Sequence, residues 1–149
     1  MPLRDNYRLD RMIIEAPHPR PTLREARQAS EALLKRAALL APADRALVEL
    51  AVGSSASQRQ LATVLRMDAG TVTRRLKRLL GRLYDPLVLS LLDPHNPLPP
   101  EYRQLGVEHL LQGLSARQLA DRHQMPVSQV HRILSQIRGW HSARNGHRD

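Results

Sequence analysis

Apolar residues return at three- and four-residue steps along most of this chain, the spacing of helices that bury one face. The first such stretch carries Leu23, Ala26, Ala29, Leu33, Leu34, Ala37 and Leu40, and predicts a helix over about residues 23–40. Thr22-Leu23-Arg24-Glu25 reads as its capping box, with the threonine oxygen on an early amide and the glutamate reaching back. Pro42 sits where a first helical residue is tolerated, and Ala43 to Val52 predict a second helix ended by Gly53. Upstream, the alternating prolines of Pro17-His18-Pro19-Arg20-Pro21 force extended backbone, which makes residues 1–21 an N-terminal arm. Five prolines in residues 85–100 interrupt the helical pattern. Leu87, Val88, Leu89, Leu91 and Leu92 within that stretch are enough for a turn or two of helix in a stiff, partly packed linker. Helical spacing resumes from Glu101 to Gly113, and Ser142 to Asp149 read as a frayed polar tail.

The strongest signal is an internal repeat. Ser57–Arg82 laid over Ser115–Trp140, without a gap, matches identically at ten of 26 positions: Ser57/Ser115, Arg59/Arg117, Gln60/Gln118, Leu61/Leu119, Ala62/Ala120, Met67/Met125, Val72/Val130, Arg74/Arg132, Leu76/Leu134 and Gly81/Gly139. A duplicated supersecondary unit explains such a match, and two copies are too few for a solenoid.

Each copy follows the logic of a helix-turn-helix. Ser57-Gln58-Arg59-Gln60 and Ser115-Ala116-Arg117-Gln118 are capping boxes that open a short helix. Leu61 and Leu119 point inward, and Ala62 and Ala120 fall where two helices cross closely. Met67 or Met125 plugs the corner after the turn. Val72, Leu76 and Leu79, or Val130, Ile133, Leu134 and Ile137, form the inward face of the second helix. Residues 39–83, with Leu40, Pro42, Asp44-Arg45, Leu47-Val48-Glu49-Leu50 and Gly70-Thr71-Val72-Thr73-Arg74-Arg75-Leu76, resemble the promoter-recognising region 4 of bacterial sigma factors. Residues 107–140 resemble the same helix-turn-helix superfamily more loosely. Two departures stand out: the superfamily's common turn glycine is replaced by Arg66 and Gln124, and no upstream segment resembles the aromatic region with which sigma factors melt promoters. The resemblance therefore implies a bacterial or phage DNA-binding module and not an autonomous sigma factor.

Composition sharpens this expectation. The formal net charge is +9, and only Lys35 and Lys77 are lysines among 23 basic residues. Arginine makes planar multi-donor contacts with phosphates and guanine edges, although a GC-rich genome enriches it as well. There is no cysteine, which excludes disulfides and thiolate metal sites. No apolar run approaches a membrane span and no signal-peptide core is visible, so a cytoplasmic, nucleoid-associated location is expected. Phenylalanine is absent and aromatics make up 3% of the chain, which disfavours stacking platforms for single strands and favours duplex DNA.

In such a unit the second helix enters the major groove and its outward residues meet bases and phosphates. In the first copy the candidates are Thr71, Thr73 and Arg74 for base edges, with Asp68, Ala69 and Gly70 beside them, and Arg75, Lys77, Arg78 and Arg82 for phosphates. In the second they are Ser128, Gln129, His131, Arg132 and Gln136, with Val127 and Ser135 on the same surface; Gln129 suits adenine and Arg132 suits guanine or a phosphate. Seven basic residues stand against one acid from Ser57 to Leu83, but four against one from Ser115 to Trp140, so the first unit is expected to hold DNA more strongly and the second leaves a partner-binding role open. His109, His123, His131 and His141 lack a convincing metal-ligand spacing, and no glycine-rich phosphate loop or nucleophile elbow is present, so neither a cofactor nor catalysis is expected. Tyr84 and Trp140 are expected to close their helices as core plugs.

The expectation is an all-α protein with an arm (1–21), a first helix-turn-helix domain (22–84), a linker (85–100), a second helix-turn-helix domain (101–141) and a tail (142–149). It would bind duplex DNA sequence-specifically as a transcriptional regulator, a monomer being able to use both units, with oligomeric state open. Two rivals stand beside it: a DNA-targeting subunit of a recombination system, and an adaptor that binds RNA polymerase or a sigma factor.

Overall fold

The computed structural model describes residues 21–146, which form nine α-helices and no strand. The all-helical expectation therefore holds; the expected arm, Pro21 apart, and the last three residues of the expected tail lie outside the described residues.

The single helix expected over 23–40 is two, α1 (Leu23–Gln28) and α2 (Ser30–Ala37). The capping box at Thr22 is present, and the break falls at Ala29, whose backbone (φ −102°, ψ 29°) leaves helical geometry. Ala29 is exposed, not a core position; Ala26, Leu33, Ala37 and Leu40 are buried. The break lets α1 follow the next helix, α3 (Pro42–Gly53), where Arg27 donates to the carbonyls of Ala51 (3.2 Å) and Ala56 (2.7 Å). Ala41 is extended (ψ 149°), as the ring of a following proline requires, so α2 ends before it and α3 starts on Pro42.

Two helix pairs with one shared backbone pattern follow. In the first, α4 (Gln58–Leu65) and α5 (Ala69–Leu83) are separated by Arg66 in the left-handed region (φ 53°), and the Met67 amide donates to the Ala62 carbonyl at 2.9 Å. In the second, which follows α6 (Pro86–Leu92) and α7 (Pro100–Leu110), helices α8 (Ala116–His123) and α9 (Val127–Gly146) are separated by Gln124 (φ 53°), with Met125 donating to Ala120 at 3.0 Å. Both capping boxes close, Ser57 with Gln60 and Ser115 with Gln118. The repeated residues thus make the same bonds in both places. The tail expected from Ser142 is helical as far as Gly146, because α9 runs on past Trp140, with Arg144 stacked 5.5 Å from the Trp140 ring and Asn145 bonded to His141 at 3.0 Å. Tyr84 does cap α5, but Trp140 is half-buried within α9 and does not end it.

Two cores lie under these helices. The first gathers Leu33, Val48, Leu61, Val72, Leu79 and Leu83 from α2 to α5, and the second Leu105, Leu119, Val130, Ile133 and Ile137 from α7 to α9. The proline-rich stretch joins them, for α6 gives Val88 to the first core and Leu91 to the second. Leu111, just past α7, is fully buried in the first core, and pulling the halves apart would expose it at a cost of about 2–3 kcal/mol. Gly106 lets α7 close on its neighbours: a Cβ there would stand 2.7 Å from Leu91 Cδ1 and 3.3 Å from Ile137 Cδ1. Gly113, at φ +73°, turns the chain from α7 toward α8. Among the described residues no helix is long and apolar enough to cross a membrane.

Candidate nucleic-acid interface

The turn at Arg66 sets the start of α5, and Asp68 caps it by accepting from the Thr71 amide at 3.2 Å. From that start the helical repeat sends Val72, Leu76, Leu79 and Leu80 into the core. The opposite face is left to Arg74, Lys77 and Arg78, all exposed, with Thr71 and Arg82 half-buried at its ends. Arg74 reaches back to donate to the Thr71 hydroxyl at 3.3 Å. Its guanidinium lies over Gly70, where a Cβ would come within 3.2 Å of Arg74 Nη1 and 3.0 Å of Asp68 Oδ2.

Two expected contact residues are engaged inside the protein. Arg75 is half-buried and holds the Asp44 carboxylate of α3 with two bonds, from Nε at 3.2 Å and Nη2 at 2.8 Å. Thr73, also half-buried, has its hydroxyl bonded to the Gln58 side chain at the start of α4 and to the Ala69 carbonyl at 3.0 Å. Thr73 and Arg75 therefore brace α5 against α4 and α3. The repeat carries a signal for Arg75: it aligns with Ile133, a buried core residue of the second copy, so position 75 turns partly inward. Asp44 and Gln58 were not among the expected site residues, and nothing local marks them, because their partners are 31 and 15 residues away.

Beside α5 runs a groove of about 700 Å³, lined by Asp44, Met67, Thr71, Arg74, Arg75, Arg78, Leu79 and Arg82. Four guanidinium groups face one carboxylate there. Arg82 Nη1 lies 4.0 Å from where a Cβ on Gly113 would sit, so the far end of the groove meets the loop before α8.

On α9, Ser128, His131, Arg132 and Gln136 are exposed and Gln129 is half-buried, and none of these side chains makes a hydrogen bond among the described residues. They sit on the helix corresponding to α5, but Asp68, Gly70 and Thr71 are replaced there by Pro126, Ser128 and Gln129. The second copy thus has neither the carboxylate cap nor the glycine beneath the arginine.

No family model, curated protein or solved structure matches the chain. What can be said of its chemistry therefore rests on its own residues. His109 donates from Nδ1 to the Leu114 carbonyl at 2.7 Å, and His123 donates from Nε2 to the buried Glu108 carboxylate, also at 2.7 Å. Among the described residues no three His, Cys, Asp or Glu side chains are grouped to hold a metal ion.

Proposed function

We propose that this protein binds duplex DNA sequence-specifically and acts as a transcriptional regulator, with α4–α5 and α8–α9 as two helix-turn-helix units. The observation that carries this reading is the outer face of α5. Arg74, Lys77 and Arg78 stand exposed on one helix, beyond a tight left-handed turn, with no carboxylate paired to any of them among the described residues. A helix presented in this way offers its N-terminal side chains to the major groove and its flanking cations to the phosphates. The likeness of residues 39–83 to sigma region 4 supports the same placement.

In this reading Thr71 and Arg74 meet bases, while Lys77, Arg78 and Arg82 meet phosphates. Thr73 and Arg75 hold the helix at its angle. Ser128, Gln129, His131, Arg132 and Gln136 of α9 form the second, weaker contact surface. The chain works without a cofactor and without catalysis of its own, in the cytoplasm at the nucleoid. A second reading is confined to α8–α9, whose helix opens on an exposed apolar residue, Val127 (38% exposed). There the unit serves as an adaptor surface for RNA polymerase or another protein.

Binding of the purified chain to duplex DNA across a salt series tests the proposal. Neutralisation of about six phosphates gives a log–log slope near −5. No binding at low salt, or a slope near zero, would refute it.

A further inference from the structure

We propose that the groove between α3 and α5 is a binding site for linked phosphate groups, and that a soluble polyphosphate seated in it displaces DNA. The displacement rests on the DNA-binding reading above; the phosphate site itself does not.

Arg74, Arg78 and Arg82 recur every fourth residue, so their stems step about 6 Å along the axis of α5 in one gently inclined row. Arg75 stands beside that row, pinned by Asp44, the single carboxylate of the groove, whose charge is already engaged. Arg78 and Arg82 make no hydrogen bond or ion pair among the described residues. A guanidinium has five N–H donors in a rigid fork and no acceptor, so a row of three is matched by groups that bring charge and several acceptor oxygens at once.

A single small anion spans one step of that row. Three phosphates in a chain reach beyond one step, and the flexible arginine stems converge on them from the rest of the row. The groove is also the right size, since about 700 Å³ falls within the range of small-molecule sites, and the Thr71 hydroxyl at its upper end adds a polar contact. At its lower end Arg82 reaches toward the loop at Gly113. The site is built only once. In the second copy the row reads Arg132, Gln136 and Trp140, which leaves one cation of three. An occupant of the groove covers Arg74 and Arg78, the same side chains that face DNA, so the two ligands exclude each other.

The test is calorimetric titration of the full chain with inorganic triphosphate at constant ionic strength, beside sulfate and orthophosphate. The expected result is one saturable site for triphosphate, at least about tenfold tighter than for sulfate. Arg78→Gln with Arg82→Gln should weaken it by about tenfold or more, with the thermal midpoint of the variant unchanged, whereas Arg132→Gln should leave it intact. Equal affinity for sulfate, or indifference to the Arg78 and Arg82 substitutions, would overturn the site. In a second arm, saturating triphosphate should raise the apparent Kd for duplex DNA, and DNA binding undisturbed by it would overturn the displacement. Triphosphate binding that depends on Arg78 and Arg82, in a chain that binds no duplex at any salt, would uphold the phosphate site while refuting the DNA reading.

Discussion

Arg66 and Gln124 put a number on the turn. Both hold φ near 53° with ψ of 43° and 48°, a left-handed conformation in which a Cβ crowds the neighbouring carbonyl oxygen. That crowding costs about 1–2 kcal/mol for a residue with a side chain. Glycine removes the cost but brings an entropic loss on folding of about 0.5–1 kcal/mol. The balance favours glycine, so Gln124→Gly should stabilise the fold by about 0.5–1 kcal/mol, which is about 1–4 °C in Tm for a chain of this length. Gln124 is the cleaner site, because its exposed side chain makes no bond that the substitution would remove. Arg66→Gly should move in the same direction, and the two effects should add to within about 0.5 kcal/mol because they fall in separate cores. Gln124→Val should go the other way, since a β-branched residue fits this region worst. Urea unfolding of the three variants, with m-values compared to the parent, is the assay. Glycine variants that lower the midpoint would show that the chain does not hold these residues left-handed in solution, and the shared turn would lose its physical basis.

Gly106→Ala should destabilise by about 1–3 kcal/mol, because the added methyl meets Leu91 Cδ1 at 2.7 Å; a thermal midpoint equal to the parent's would mean that α6 and α7 are not in contact. Arg75→Met should cost about 1 kcal/mol of stability through loss of the Asp44 pair and leave the salt slope of DNA binding unchanged, whereas Arg78→Met should leave stability unchanged and shift that slope by about 1. Replacing Arg74 and Arg78 together with alanine should weaken DNA binding more than replacing Arg132 and Gln136, which competition titrations on one duplex will decide. Footprinting with measured stoichiometry should show a monomer on an extended, non-palindromic site, since the proposed base contacts Thr71 and Arg74 differ in kind from Gln129 and Arg132; one protected half-site would assign α8–α9 to another purpose.

What the sequence reveals is local. The capping boxes at Thr22, Ser57 and Ser115 are written in consecutive residues, and each closes as read. The 58-residue offset of the repeat marks where two helix pairs share a turn; that the turn stays left-handed at Arg66 and Gln124, without the usual glycine, is seen only in the fold. What it conceals is distant. Helical spacing runs on through Ala29, and the break there becomes visible only once Arg27 is seen reaching 24 and 29 residues ahead to the carbonyls of Ala51 and Ala56. Spacing also says nothing of Glu108, a carboxylate buried on α7 that accepts from Gln104 at 3.1 Å and from His123 on α8 at 2.7 Å. A polar residue on the inward face reads as an interruption until its partner is known. Beyond Trp140 the chain looks like a tail because it has no apolar stripe, yet pairs four residues apart, Trp140 with Arg144 and His141 with Asn145, continue the helix without one.

The same division runs through the arginines and limits what net charge can mean. Arg27 donates to two carbonyls, Arg36 donates to the Leu83 carbonyl at 3.0 Å while lying 4.6 Å from the Tyr84 ring, and Arg75 holds Asp44. These three fasten elements that are 24 to 47 residues apart, a use for which a planar fork of donors is well shaped and a lysine is not. Arg27 and Arg36 keep their full charge while doing so, because a carbonyl dipole neutralises nothing. They still contribute to the long-range field that steers a polyanion toward the protein, but both are half-buried and held against backbone carbonyls of their own chain. In the proposed DNA-binding reading, arrival and grip therefore draw on different residues: the field comes from the whole +9 chain, and the proposed contacts from the few side chains of α5 that have no partner among the described residues.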